Sequence, residues 1–169
     1  MTQYNGECDC GAVKFVCDGE PLFTQYCHCN KCREIAASST RNADKSGYGY
    51  TAAYLLSHFN IISGADNLDQ IPKTSANHLL CKNCHCLIYG ISLDPDKQSG
   101  IGINANNFSF RETMPESFKP VRHVWYSNRI IDFNDALPKY KDTPEEQFGS
   151  GELYSESEDN PKKTGNRPF

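Results

Sequence analysis

The stretch Cys27-His28-Cys29-Asn30-Lys31-Cys32 is the middle one of three cysteine clusters that decide how this chain folds. The other two are Cys8-x-Cys10 before it and Cys81-x-x-Cys84 after it. Cys-x-x-Cys lets the backbone turn so that two sulfurs converge on one ion, and zinc prefers sulfur and nitrogen ligands in a tetrahedron. Together the clusters supply seven thiols at ligand spacing. That is enough for one complete tetrahedron and three further ligands.

The number of cysteines favours metal binding over disulfides. The chain has 169 residues and 9 cysteines, an odd number. A secreted disulfide scaffold is usually shorter and carries an even number. In a reducing compartment, clustered cysteines indicate metal ligands. We therefore predict two zinc ions per chain.

The clusters divide into one closed site and one open site. Cys8 and Cys10 together with Cys81 and Cys84 give four ligands, and this zinc would be structural because it closes a long loop whose entropy the metal offsets. Gly11 supplies the backbone freedom that Cys-x-Cys needs in order to bend. The middle cluster gives three ligands, and a zinc with three protein ligands keeps a position for water or substrate.

The fourth ligand of the second site is open to other interpretations. His28, His85 or Cys86 could complete it, and both sites would then be purely structural. Cys86 otherwise fits a small buried hydrophobe. Lys31 and Arg33 flank the middle cluster and could meet thiolate charge or a substrate carboxylate, although solvated surface charges are the simpler interpretation.

The composition excludes several classes of protein. The formal net charge is -4 and the pI is near 5.7, whereas a protein that holds a phosphate backbone is usually basic. The start of the chain, Met1–Gly6, has no basic residue and no apolar run, so we expect no signal peptide. No apolar stretch is long enough to span a bilayer. We predict a cytoplasmic protein with no nucleic-acid or membrane partner.

Apolar periodicity predicts a mainly β chain with one or two short helices. Strands are predicted over 11–17 and 22–26, joined as a hairpin by the turn between them. Asn30 could cap a short helix that ends near Ala37. The third cluster, 81–84, is predicted at the tip of another hairpin.

The chain is long enough for one domain with a proper core. We assign residues 1–140 to this zinc-binding domain. From Lys141 the chain becomes acidic and turn-forming. Residues 141–169 are therefore predicted to be a polar acidic C-terminal tail that is loosely attached.

The ordered clusters resemble one known family. Gly6 precedes the first cluster, Arg33 follows the second, and this pattern is similar to the glutathione-dependent formaldehyde-activating enzyme family, which includes centromere protein V. Later residues fit the family's C-terminal pattern more loosely, as Pro120-x-x-His123-Val124 and Asp135-x-Leu137-Pro138. The resemblance covers roughly residues 6–140.

The resemblance implies a β-tent zinc fold with two zinc sites, one structural (Cys8, Cys10, Cys81, Cys84) and one catalytic (Cys27, Cys29, Cys32). The implied activity is condensation of glutathione with formaldehyde to S-hydroxymethylglutathione, which is classed as a carbon-sulfur lyase reaction. We therefore expect a zinc-dependent enzyme whose partner is a small thiol such as glutathione. The alternative is a non-catalytic, zinc-stabilised module that binds glutathione or a protein. The base is not identified; His28 and His123 are candidates only by residue type.

Three positions depart from the family pattern. His85 stands where the family usually has glycine, and Cys86 follows where serine or threonine is common. Ile35-Ala36-Ala37 stands where a glycine is typical. All three changes lie beside metal sites, so they bear on the shape of the pocket and on the substrate.

Overall fold

A computed structural model describes residues 2–38, 47–72 and 76–155. The described chain contains one α-helix, α1 (Asn30–Ser38), and short 3-10 turns. Its strands are β1 (Gln3–Glu7), β2 (Lys14–Asp18), β3 (Phe23–Cys27), β4 (Gly49–Leu55), β5 (Phe59–Ser63), β6 (Leu68–Pro72), β7 (Ala76–Cys81), β8 (Leu87–Ser92), β9 (Gly100–Asn104) and β10 (His123–Val124). The predicted mainly β class is confirmed.

The strands form two sheets. The smaller has the order β1-β2-β5, and the larger has the order β10-β3-β4-β9-β8-β7-β6. Neighbouring strands are antiparallel except for β10 and β3, which are parallel. In that parallel pair Val124 lies opposite Cys27. The C-terminal part of the chain therefore lies directly beside the start of the middle cysteine cluster.

The predicted hairpin between 11–17 and 22–26 is wrong. β2 pairs with β1 and β5, whereas β3 pairs with β4 and β10, so the link between them crosses from one sheet to the other. Gly19 sits in this link with φ +78°. Alternation identifies which face of a strand is buried, but it does not identify the partner strand.

An aromatic cluster fills the core. Phe15 of β2 contacts Phe59 and Phe108, with ring centroids 5.4 and 5.3 Å apart. Phe108 in turn lies 4.9 Å from Phe118. These rings are buried, and fully burying one such side chain stabilises a fold by about 1.5–3 kcal/mol.

Two local predictions about the cysteine clusters are confirmed. Helix α1 begins within the middle cluster and buries Ile35, with Asn30 as its first helical residue and not as its cap. β7 and β8 pair as an antiparallel hairpin, and Cys81–Cys84 occupies its tip. The helix and the hairpin thus each fix the direction in which one cluster presents its sulfurs.

The chain after β10 folds back onto it. Lys139 pairs with His123, and Tyr140 pairs with Leu153. Arg122 is 8% exposed and its Nη1 lies 2.6 Å from Oε1 of Glu146. As far as residue 155 the acidic segment is thus hydrogen-bonded to the domain, which differs from the loose attachment predicted from its composition. Residues 156–169 lie outside the described residues, and the division at 140 stays a prediction.

No helix among the described residues has both the length and the apolar character that crossing a membrane requires.

Candidate metal centres

The first and third clusters meet at one point. The Sγ atoms of Cys8, Cys10, Cys81 and Cys84 all lie within 4.8 Å of one another. Cys10 Sγ is 3.5 Å from Cys8 Sγ and 3.7 Å from Cys81 Sγ. A tetrahedron with zinc-sulfur bonds of about 2.3 Å separates its sulfurs by about 3.8 Å. The donor set and its spacing therefore fit zinc.

A tight turn presents the first pair of sulfurs. The N–H of Gly11 donates to the carbonyl of Cys8 at 3.0 Å, and Gly11 has φ +74°. This is the bend for which the sequence required glycine. The N–H of Val13 donates to Cys8 Sγ at 3.3 Å. That hydrogen bond stabilises the sulfur as a thiolate, the form that binds metal.

The hairpin tip presents the second pair. The N–H of His85 donates to the carbonyl of Cys81 at 2.9 Å, and Nδ2 of Asn67 donates to Cys81 Sγ at 3.2 Å. His85 itself has φ +56°, a left-handed conformation that costs a non-glycine residue free energy. Glycine would occupy this position without strain, which gives a physical reason for the glycine that is usual there in the family.

The middle cluster is also assembled. The Sγ atoms of Cys27, Cys29 and Cys32 lie within 4.8 Å of one another. Cys27 ends β3, Cys29 directly precedes α1 and Cys32 lies in its first turn. The N–H of Cys32 donates to Cys29 Sγ at 3.3 Å. The helix N-terminus therefore favours negative charge on this sulfur.

The three thiols of the middle cluster titrate together. Hydrogen bonds from the Cys27 and Cys32 thiols, followed by backbone N–H groups, lower the pKa of Cys29. The hydrogen bond with Cys29 raises the pKa of Cys27, and the hydrogen bonds with Cys27 and then Cys29 raise the pKa of Cys32. Without metal, the cluster therefore holds its first negative charge on Cys29. A bound zinc ion would stabilise all three as thiolates.

The three alternative fourth ligands do not join this cluster in the described chain. Cys86 is buried, its Sγ donates to Oδ1 of Asn107 at 3.1 Å, and burial raises its pKa to about 12. His85 lies at the hairpin of the first site. His28 is turned to a different partner, His123.

A hydrogen-bonded chain of three side chains lies beside the middle cluster. Nε2 of His28 is 2.9 Å from Nδ1 of His123, and Nε2 of His123 is 2.9 Å from Oδ2 of Asp135. Both imidazoles are fully buried. Burial lowers the pKa of His28 to about 4 and also lowers that of His123. Burial raises the pKa of Asp135, but hydrogen bonds from Lys139 and His123 outweigh it and the pKa is lowered.

These protonation states determine which atom donates in each hydrogen bond between His28, His123 and Asp135. Ionised Asp135 can only accept, so His123 donates from Nε2 and its Nδ1 accepts from Nε2–H of His28. Nδ1 of His28 is then a bare acceptor, and it is buried with no hydrogen-bond partner among the residues that the structure describes. Sequence reasoning missed this role of Asp135. The hydrogen bond between His28 and His123 joins residues 95 positions apart, which no local sequence pattern indicates.

The cationic side chains of Lys31 and Arg33, beside the middle cluster, contact residues of their own helix. Lys31 forms an ion pair with Glu34, and Nη2 of Arg33 donates to Oδ1 of Asn30 at 2.5 Å. Both contacts lie within α1 and are exposed. Both side chains are half-buried, however, and Nε of Arg33 is buried with no hydrogen-bond partner among the described residues, so the interpretation as a solvated surface charge does not fit Arg33.

A cavity of about 190 Å³ opens beside Cys32. Gly49 of β4 leaves room above that residue, because a Cβ there would lie 3.0 Å from Cβ and 3.5 Å from Sγ of Cys32. The cavity is lined by residues of α1, β4 and neighbouring strands, namely Tyr26, Cys32, Ile35, Ala36, Tyr48, Gly49, Tyr50, Thr51, Leu87, Asn104 and Asn106. A small ligand could thus lie against one sulfur of the three-thiol cluster.

The described chain is thus a mainly β protein with two thiol clusters of metal-binding geometry. Residues 3–128 match the family of the glutathione-dependent formaldehyde-activating enzyme, and the chain belongs to this family. A protein of Rhodobacter sphaeroides, known from a crystal structure, has a similar fold with a TM-score of 0.51 at 21% sequence identity. The similarity covers 71% of this chain and 99% of that chain. No curated protein matches the sequence.

Proposed function

We propose that this protein is a zinc-dependent enzyme of the carbon-sulfur lyase type that condenses a thiol such as glutathione with an aldehyde. Formaldehyde would give S-hydroxymethylglutathione. Membership of the family supports this proposal. The observation that carries it is the cluster of Cys27, Cys29 and Cys32, which supplies three sulfurs rather than four and adjoins a cavity at Cys32.

The reaction joins the thiol sulfur to the carbonyl carbon. The S–H bond and the C=O π bond break, an S–C bond forms, and a proton reaches the carbonyl oxygen, so the product is a hemithioacetal. Zinc held by the three cysteines would lower the pKa of a thiol in its fourth position and polarise the carbonyl. The first cluster would hold a second, structural zinc.

The protein's own residues support that site from two sides. The N-terminus of α1 stabilises negative charge at Cys29 through the N–H of Cys32. On the other side, the hydrogen bond that His28 donates to His123 holds His28, and with it the backbone between Cys27 and Cys29. We assign His123 and Asp135 as positioning residues for this segment.

A glutathione-dependent reaction fits the reducing cytoplasm, where thiols stay reduced. We therefore propose a cytoplasmic protein whose partner is a small thiol rather than nucleic acid or a membrane.

Exchange NMR on glutathione and formaldehyde tests the proposal. Zinc-loaded protein should accelerate exchange above the spontaneous rate, and Cys29→Ser should abolish the acceleration. Cys17→Ala is the matched control, because Cys17 is buried outside both clusters. It should retain the acceleration. No acceleration by protein that carries two zinc ions per chain would favour the non-catalytic binding module instead.

A further inference from the structure

The cavity beside Cys32 has more room than formaldehyde needs. Its volume is about 190 Å³, whereas water occupies about 30 Å³ per molecule in the liquid. Formaldehyde has only two heavy atoms. A cavity of about 150 Å³ with an apolar lining is known to hold benzene. The volume at Cys32 therefore suits a six-membered ring with a small substituent.

The shape of the lining also suits an aromatic ring. Tyr26 contacts two other tyrosines of the lining, with its ring centroid 4.9 Å from that of Tyr48 and 5.3 Å from that of Tyr50. Ile35 and Ala36 of α1 line the cavity with aliphatic surface. Aromatic rings in contact attract each other more strongly than the area they bury accounts for, so an aryl ligand would gain from these side chains.

The polar groups that line the cavity are neutral. Hydrogen bonds to neighbouring residues fix the side-chain amide of one of them, Asn104. Oδ1 of Asn104 accepts hydrogen bonds at 3.3 Å from both the backbone and the side-chain nitrogen of Asn106. Nδ2 of Asn104 donates to Oδ1 of Asn107, also at 3.3 Å. Thr51 adds a hydroxyl. Apart from the Cys32 thiol, the described lining consists of uncharged side chains, so a carboxylate buried there would lack a described counter-charge.

We propose that this cavity binds the side group of an uncharged aromatic aldehyde, so that the preferred partner of the thiol is larger than formaldehyde. This inference rests on the proposed condensation. The thiol sulfur would attack the aldehyde carbon beside Cys32, and the aryl group would lie against the tyrosines. The product is the aryl hemithioacetal, formed with the same balance of bonds and protons as with formaldehyde. The charged ends of glutathione would stay outside the cavity.

The test compares three aldehydes and two helix variants by exchange NMR. Formaldehyde, benzaldehyde and 4-carboxybenzaldehyde are each mixed with glutathione and zinc-loaded protein. Ala36→Leu places extra carbons in the cavity, whereas Ala37→Leu makes the same change at an exposed position of the same helix, outside the lining. Circular dichroism checks that both variants fold. Binding of S-benzylglutathione, a stable analogue of the adduct, is measured separately by saturation-transfer NMR.

The wild type should accelerate exchange with benzaldehyde more strongly than with formaldehyde, and about tenfold more than with 4-carboxybenzaldehyde. Ala36→Leu should lower the ratio of benzaldehyde to formaldehyde acceleration by about tenfold and weaken S-benzylglutathione binding. Ala37→Leu should match the wild type in both measurements. Acceleration with formaldehyde alone, or a ratio unaffected by Ala36→Leu, would overturn the inference. If no aldehyde reacts faster than its spontaneous rate, the proposed function itself fails. Separately, if Ala36→Leu leaves the binding of S-benzylglutathione unchanged, the cavity is not an aryl site.

Discussion

The imidazoles of His28 and His123 lie 5.2 Å apart between ring centroids, nearly parallel at 23°, and share a hydrogen bond of 2.9 Å. This contact ties the residue between Cys27 and Cys29 to strand β10, 95 positions away. It has the same role as the hydrogen bonds that orient ligands from outside a metal centre. The middle cluster is therefore supported by the C-terminal half of the fold and not only by its local turn.

The first prediction concerns the protonation of this pair. At pH 7 both rings should be neutral with the proton on Nε2, because ionised Asp135 accepts from His123, which in turn accepts from His28. Long-range ¹⁵N–¹H correlation spectra report the tautomer directly. His28 should stay neutral down to about pH 5, since burial lowers its pKa to about 4. A proton on Nδ1 of His28 at pH 7 would contradict the deduced role of His28 as the donor to His123.

The lowered pKa of His28 also makes the free energy of unfolding depend on pH. The unfolded chain binds a proton at His28 near pH 6.5, whereas the folded protein does so only near pH 4. The contribution to the free energy of unfolding is therefore complete above pH 6.5 and is lost as the pH falls toward 4, by up to about 3 kcal/mol. Urea unfolding at pH 7.0 and 5.0 measures this loss. A chelating dye should follow zinc release in parallel, because acid also displaces the metal.

Replacing His85 should stabilise the protein. His85→Gly removes the strain of a side chain at φ +56°, and we expect a gain of about 1 kcal/mol in the free energy of unfolding. Asn83→Gly, in the same hairpin tip but without a positive φ, is the control and should give no gain. Urea unfolding of both zinc-loaded variants checks this. A loss of stability in His85→Gly would show that the histidine makes a compensating contact.

Adding one methyl group at Gly49 should weaken the second metal site. Gly49→Ala puts a Cβ 3.0 Å from Cβ of Cys32, so the Cys32 side chain must shift by a few tenths of an ångström and carry its sulfur with it. Competition with a zinc chelator should show about tenfold weaker binding of one of the two zinc ions. Gly100→Ala is the matched control, since its nearest neighbour would be the Tyr54 carbonyl oxygen at 3.8 Å. Equal zinc affinity in both variants would mean that the cluster tolerates the displacement.

Loss of one ligand should have different effects at the two centres. Cys29→Ser should release one zinc and leave a folded domain. Cys81→Ser should unfold much of the protein, because Cys10 and Cys81 join parts of the chain that lie 71 positions apart. Metal analysis gives the zinc content and circular dichroism gives the folded fraction. An equal loss of structure in both variants would reject the division into structural and open sites.

Some elements of the fold could be predicted because their causes are local. The helix from Asn30 and the hairpin tip at Cys81–Cys84 depend on interactions and turn geometry within a few residues. The convergence of the cysteines into two clusters was predictable as well, since a metal-binding site restricts which spacings can meet. The bend at Gly11 follows from the same restriction.

Other features depend on contacts that no short pattern encodes. The strands on either side of Gly19 entered different sheets, although each has a valid strand pattern. The segment that follows Lys141 is acidic, yet Arg122 and Tyr126 provide partners for Glu146 and Tyr154. The link from Asp135 through His123 to His28 likewise exists only after β10 pairs with β3. Tertiary contacts determine the strand pairing, the packing of the acidic segment and the link from Asp135 to His28.

The most direct test of the central claim is ¹¹³Cd NMR of protein in which cadmium replaces zinc. Two cadmium resonances per chain are expected, one from the four-cysteine centre and one from Cys27, Cys29 and Cys32. Glutathione should shift only the second resonance, and Cys29→Ser should remove that resonance alone. If glutathione shifts neither signal, or if the second signal already has the character of four sulfur ligands before glutathione is added, the middle cluster is not an open thiol-binding centre.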